Sequence, residues 1–139
     1  MSIPRFIVGV LGIVVRGDGQ VLALRRHTRS FDEGRWETVA GKVEHGEDPF
    51  DAVVREIAEE TGLQVDVDPR PLDTWYATRD CAPMILIAYR ATPRTEAIVL
   101  SMEHDYATWL TSVEFEAMSP HTRVATLMRS MEGSHDSTV

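Results

Sequence analysis

The chain has 139 residues, 43% hydrophobic and 26% charged, and its 14 basic residues against 22 acidic ones give a net charge of −8. These values fit one ordinary globular domain with a single core, and the lack of any Lys/Arg run argues against duplex nucleic acid or membrane as partners. The one cysteine, Cys81, excludes an intrachain disulfide and fits a cytoplasmic protein.

Residues 5–15 form an Ile/Val-rich run that ends at Arg16-Gly17-Asp18-Gly19. The run is far too short to span a membrane, and no small-residue cleavage site follows it. It predicts a buried strand, with Gly17-Asp18-Gly19 as the turn of a β-hairpin and Gln20 to Arg25 as the returning strand. His27 to Arg35 lacks apolar periodicity and predicts an exposed loop. Arg25, Arg26, Arg29 and Arg35 lie along or beside that loop. A guanidinium fork suits phosphate oxygens, which makes Arg25 and Arg35 candidate substrate contacts, against the plainer reading of a solvated loop. Trp36 to Val39 predicts a short strand.

Gly41 to Leu63, GKVEHGEDPFDAVVREIAEETGL, carries the most information. Asp48 as N-cap, Pro49 at the first helical position and Gly62 as a left-handed C-cap predict a helix over Pro49–Thr61. Helical spacing puts Phe50, Val53, Val54, Ile57 and Thr61 on one apolar stripe and turns Glu56, Glu59 and Glu60 away from it. Like charges at spacings of three and four each destabilise a helix by roughly 0.2–0.5 kcal/mol, a penalty that a cation would remove. Oxygen ligands without paired Cys or His favour Mg²⁺, Mn²⁺ or Ca²⁺ over zinc. Seven of the 22 acids fall within the 17 residues from Glu44 to Glu60, so an anionic substrate would need a bridging divalent metal.

Beyond the helix, Gln64 to Val67, Leu72 to Thr78 and Pro83 to Ala91 predict three strands. The last is apolar enough to be central, and Thr92 to Glu96 predicts a surface turn. Cys81, beside an apolar run, is expected in the core. Leu100 to Leu110 predicts a late strand, Val113 to Met118 a short helical turn, and Pro120 to Met131 a packing helix with Val124, Leu127, Met128 and Met131 inward. A single domain over residues 3–132 is expected, with 133–139 as a flexible tail. Trp75, Tyr76 and Phe31 could stack on a base but are read as packing or loop aromatics. The histidines lack metal-pair spacing.

Gly41, Glu47 after five residues, then after seven more Arg55-Glu56-Ile57-x-Glu59-Glu60-x-Gly62-Leu63, resembles the complete Nudix box. Ala40 departs from the Gly-Gly common at the box entrance. The resemblance implies a Nudix-type α/β/α sandwich with a mixed sheet and the box as loop-helix-loop. It also implies metal-dependent hydrolysis of a pyrophosphate linkage in a nucleoside diphosphate joined to another group. By position, Glu56, Glu59 and Glu60 would hold Mg²⁺, or Mn²⁺ as substitute, with the Gly41 carbonyl. Glu47 and Arg55 would support them, and Arg55, Glu56 and Glu59 would belong to the catalytic set. The general base is left between Glu56 and Glu103, because the loop before the late-strand Trp often adds an acid. Markers of the ADP-ribose and dinucleoside polyphosphate subfamilies are displaced or missing, so a nucleoside or deoxynucleoside triphosphate is the expected substrate. An ADP-ribose or other nucleotide-sugar pyrophosphatase and a non-catalytic nucleotide sensor are the alternatives. A homodimer is left open, since many relatives dimerise.

Overall fold

A computed structural model describes residues 2–27, 34–119 and 121–135. The elements in chain order are β1 (Ile7–Val14), β2 (Val21–Arg26), β3 (Trp36–Glu37), β4 (Val39–Lys42), α1 (Pro49–Thr61), β5 (Val65–Val67), β6 (Asp73–Arg79), β7 (Ala82–Pro93), β8 (His104–Leu110), α2 (Ser112–Met118) and α3 (Thr122–His135). Strand β7 is central to a mixed sheet. It runs parallel to β1 from Ile7↔Met84 to Val14↔Ala91, and on its other edge it pairs antiparallel with β6 and then β5. Strand β4 closes the far edge against β1. A second sheet, antiparallel, has the order β3-β2-β8.

Period-two alternation sorts the strand residues into two cores. Val10 and Val14 of β1 and Leu22 and Leu24 of β2 join Val53 and Ile57 of α1. Their sequence neighbours Ile13, Val21 and Ala23 join Phe115 of α2 and Val124, Ala125 and Met128 of α3. Successive strand side chains point to opposite faces, so both faces of β1 and β2 are covered and the fold is an α/β/α sandwich with a mixed sheet. Gly12 is needed at the seam, because a Cβ there would come within 2.8 Å of the Ile57 side chain. Among the described residues, no helix is long and apolar enough to cross a membrane.

The expected N-terminal hairpin is not formed. The turn is present, with the Gly19 amide donating to the Arg16 carbonyl at 2.9 Å, but the two strands share only the bridge Val15↔Val21. Both edges of β1 are taken by β4 and β7, so β2 leaves for the second sheet. The expected strand Trp36 to Val39 likewise divides at Thr38, with its two halves in different sheets. Strand β7 continues through Thr92 and Pro93, where a turn was expected, because β5 pairs there. Cys81 is exposed rather than in the core. It forms, with Asp80, a two-residue turn between the paired residues Arg79 and Ala82, both turn residues having positive φ (50° and 67°). Helix α3 runs to His135, three residues into the expected tail, while residues 136–139 lie outside the described residues. Arg29 and Phe31 lie outside them as well.

Candidate active site

Helix α1 has the expected bounds. Asp48 takes the N-cap backbone position without a side-chain capping bond, and Gly62 closes the C-terminus at φ 73°. The buried stripe differs from the expected one: Ala52, Val53, Ile57, Glu60 and Thr61 are buried, whereas Val54 is only partly so. Glu60 therefore does not share a solvent-facing acidic side with Glu56 and Glu59. It lies one turn beyond Ile57, where Val99 and Ser101 bond to the backbone of the last turn and the His104 ring stands 3.8 Å from its carboxyl, and only 2% of it is exposed. Glu59 remains outside, its side chain 58% exposed, and Glu56 sits between these extremes at 15%.

Arg55 organises the acids. Its Nε and Nη2 donate to the two Glu47 carboxylate oxygens at 2.8 and 2.9 Å, its Nη1 donates to Glu56 at 2.9 Å and Glu59 at 3.2 Å, and Nη2 also reaches the Lys42 carbonyl at 3.1 Å. Glu44 stands 3.7 Å from the same guanidinium. The helix is thereby tied to the loop before it. Hydrogen bonds from Arg55, then from the Glu44 amide, hold the Glu47 carboxyl down to about 2, and the Arg55 guanidinium is correspondingly harder to deprotonate. Gly41, paired with Val10 in the β1–β4 ladder, lies directly beneath Glu56, and a Cβ at that position would fall inside the Glu56 carboxylate.

Three groups converge on the buried end of this cluster. Ligand atoms of Glu60, Glu103 and His104 all lie within 4.8 Å of one another. Neither Glu60 carboxylate oxygen receives a hydrogen bond from a described residue. Burial, followed by the adjacent Glu56 carboxylate, pushes its pKa up to about 10. A buried carboxyl without a donor is costly, and a hard cation is the ligand that would satisfy it. The oxygen-rich donor set fits a divalent metal. His104 and Glu37 were not among the site residues expected from sequence, and Arg26 was named only with the other arginines beside the loop. Glu37 is placed by β3, with its Oε1 2.9 Å from Arg26 Nε and its Oε2 3.5 Å from His104 Nε2. Burial opposes ionisation of Glu37, but the contact with His104 and the charge on Arg26 outweigh it and hold its carboxyl below the usual value. No local pattern marks this trio, whose members come from β2, β3 and β8.

A cleft of about 860 Å³ opens beside the cluster. Glu56, Glu103, Gly41 and Glu44 line one part of it, Trp75, Thr78 and Met84 another, and Arg26, Arg35, Lys42, Arg79 and Arg123 supply cations. The volume suits a nucleotide-sized ligand. Arg123 stacks over Trp75 at 4.8 Å and is bound to Asp73 at 2.7 Å. Arg35 lines the cleft but Arg25 does not: its side chain pairs with Asp105 at 2.9 Å and lies over the Trp36 and Tyr106 rings. Alternation along β2 explains the difference, since Arg26 takes the cleft-facing position. Tyr76 alternates with Trp75 on β6, is 59% exposed, and packs edge-on against Phe6. A second cavity, of about 540 Å³ between the Arg16–Gln20 turn and α3, contains none of the box acids.

The family model described as NUDIX domain matches residues 5–129. A MutT-like protein of Streptomyces ambofaciens is 33% identical over 133 residues, covering 96% of this chain and 82% of that protein. Among solved structures, a MutT protein from Methanosarcina mazei Go1 superposes with a TM-score of 0.80 at 22% identity, covering 96% of this chain and 99% of its own. An Ap4A hydrolase from C. elegans superposes at 0.81 with 19% identity, covering 94% and 98%. The match over nearly the whole domain, with Gly41, Glu44 and Glu56 of the box lining one cleft, places this chain in the NUDIX family, as a Nudix pyrophosphohydrolase.

Proposed function

We propose that this chain hydrolyses nucleoside or deoxynucleoside triphosphates to the monophosphate and pyrophosphate, with Mg²⁺ as cofactor and Mn²⁺ as a substitute. The observation that carries the reading is the Glu60 carboxyl, buried without a described donor beside Glu56, which itself lines a nucleotide-sized cleft. Glu56 and Glu60, with the Gly41 carbonyl, are the residues that would hold the cation. Glu59 would join them from the rim, where it now contacts Arg55. When bound, the metal neutralises phosphate oxygens and acidifies water.

The remaining work falls to this chain's own side chains. Water attacks a phosphorus of the α–β anhydride, the bridging P–O bond breaks, and the nucleoside monophosphate and pyrophosphate separate, the water oxygen staying on the phosphorus attacked. The proton lost by water goes to a carboxylate. Glu103 suits that role better than Glu56, because Arg55 already engages Glu56 Oε1 at 2.9 Å, while Glu103 is 60% exposed and stands 4.0 Å from Arg26. Arg55 and Glu47 position the helix and do not exchange the proton. Arg35 and Arg26 stand where polyphosphate oxygens would need cations, and their presence in an otherwise acidic protein favours a highly charged substrate.

The test is product analysis by mass spectrometry with and without Mg²⁺, against NTPs, dNTPs, ADP-ribose, dinucleoside polyphosphates and nucleotide sugars. Metal-dependent conversion of a triphosphate to monophosphate and pyrophosphate is expected. Turnover confined to ADP-ribose or a nucleotide sugar would replace the substrate assignment, and binding without turnover of any compound would make the chain a sensor.

A further inference from the structure

His104 opens β8, opposite Arg26 across a β-bulge in the β2–β8 ladder. Its side chain is completely buried, and each ring nitrogen faces a carboxylate without making a hydrogen bond to any described residue: Nε2 lies 3.5 Å from Glu37 Oε2, and Nδ1 lies 3.8 Å from Glu60 Oε1. The far side of Glu37 is anchored by Arg26 at 2.9 Å. A histidine needed only for packing would gain more from an apolar neighbour than from two acids, one of them without any described hydrogen-bond donor. The bulge between Arg25 and Arg26 sets the local ladder register where the ring inserts.

We propose that His104 is a positioning residue for Glu60. The row Arg26–Glu37–His104 fixes the ring, and the ring fixes the rotamer of the Glu60 carboxylate so that an oxygen is presented to the metal. The inference rests on the proposed role of Glu60 as a metal ligand. Partners behind a metal ligand typically change metal affinity by about 10–100-fold when removed.

The experiment is a Mn²⁺ titration of the full chain without substrate, followed by electron paramagnetic resonance, for wild type, His104→Leu, His104→Gln, Glu37→Gln, Glu60→Gln and the double variant Glu37→Gln/His104→Leu. His104→Leu should weaken Mn²⁺ binding by about 10–100-fold. His104→Gln, which retains a donor, should recover part of the loss. Glu37→Gln should weaken binding in the wild-type background and add nothing to His104→Leu. Mg²⁺ should also shift the ring ¹⁵N resonances of His104, a signal that packing alone would not produce. Wild-type affinity in folded His104→Leu would overturn the inference. If that variant fails to fold, wild-type affinity in Glu37→Gln would do so. Unchanged affinity in Glu60→Gln would instead remove the metal-ligand reading beneath it, whereas loss in Glu60→Gln with none at His104 or Glu37 would remove this inference alone.

Discussion

A methyl group added at Gly41 would collide with the Glu56 carboxylate, and Gly41→Ala is therefore a precise probe of how the box is built. The backbone of β4 at Gly41 is held by β1 through Val10↔Gly41 and by the flanking pairs, so the helix side chain must give way. Moving Glu56 breaks its 2.9 Å bond from Arg55 Nη1. Forcing a group into a packed site costs about 1–3 kcal/mol, and a hydrogen bond to a charged partner is worth about 1.5–3 kcal/mol. Because the displacement of Glu56 relieves the clash, the two costs overlap, and a net loss of about 2–3 kcal/mol is expected. For a chain of this length that corresponds to a melting temperature lower by roughly 6–12 °C. Gly17→Ala is the matched control: a Cβ there meets nothing within 4 Å, and its change should stay within about 0.5 kcal/mol. Scanning calorimetry gives the stability and a Mn²⁺ titration gives the site. If Gly41→Ala melts with the wild type and binds Mn²⁺ as tightly, the close approach of Gly41 to Glu56 is not what requires glycine here.

Two further outcomes follow from other contacts. Arg55→Lys keeps the charge but loses the fork, and one ammonium cannot serve Glu47, Glu56, Glu59 and the Lys42 carbonyl together. It should lower stability by about 1–3 kcal/mol and weaken metal binding, with equal calorimetric and Mn²⁺ results for both proteins as the refuting outcome. At the start of α2, Thr111 and Glu114 form a reciprocal capping box, and Thr111→Ala should cost about 1 kcal/mol. The Thr111 amide and then its side chain hold Glu114 below its ordinary 4.5. A carboxyl lowered in the folded state contributes stability above its unfolded value and loses it as pH falls through the folded one. Glu114→Gln should therefore be less stable than wild type near neutrality, and the two should converge in acid below that value. Parallel melting curves across the whole range would refute this.

The helix and its functional acids were legible because their signals are local. Pro49, Gly62 and the 3.6-residue period depend on neighbours within a few positions, as do the contacts of Arg55 with Glu56 and Glu59. The apolar continuity of β7 likewise reported burial on both faces. The resemblance to the box also implied a shared supporting role for Glu47 and Arg55, which do meet although eight residues separate them. Other features depended on which strands compete for an edge. No residue of the Gly17-Asp18-Gly19 turn states that β1 is already occupied on both sides, yet that occupancy sends β2 to another sheet and brings Arg26, rather than Arg25, to the cleft. Burial of Glu60 is consistent with its spacing, three residues after Ile57 and seven after Val53 on the apolar stripe, but no local signal states that the His104 ring of β8 lies against its carboxyl. Glu37, His104 and Glu60 are 23 or more residues apart in sequence and meet only through strand pairing. Local sequence thus determined the helix, its caps and the inventory of acids. Tertiary structure decided which acid is stripped of water, because desolvation is set by what packs against a group and not by its own place in the chain.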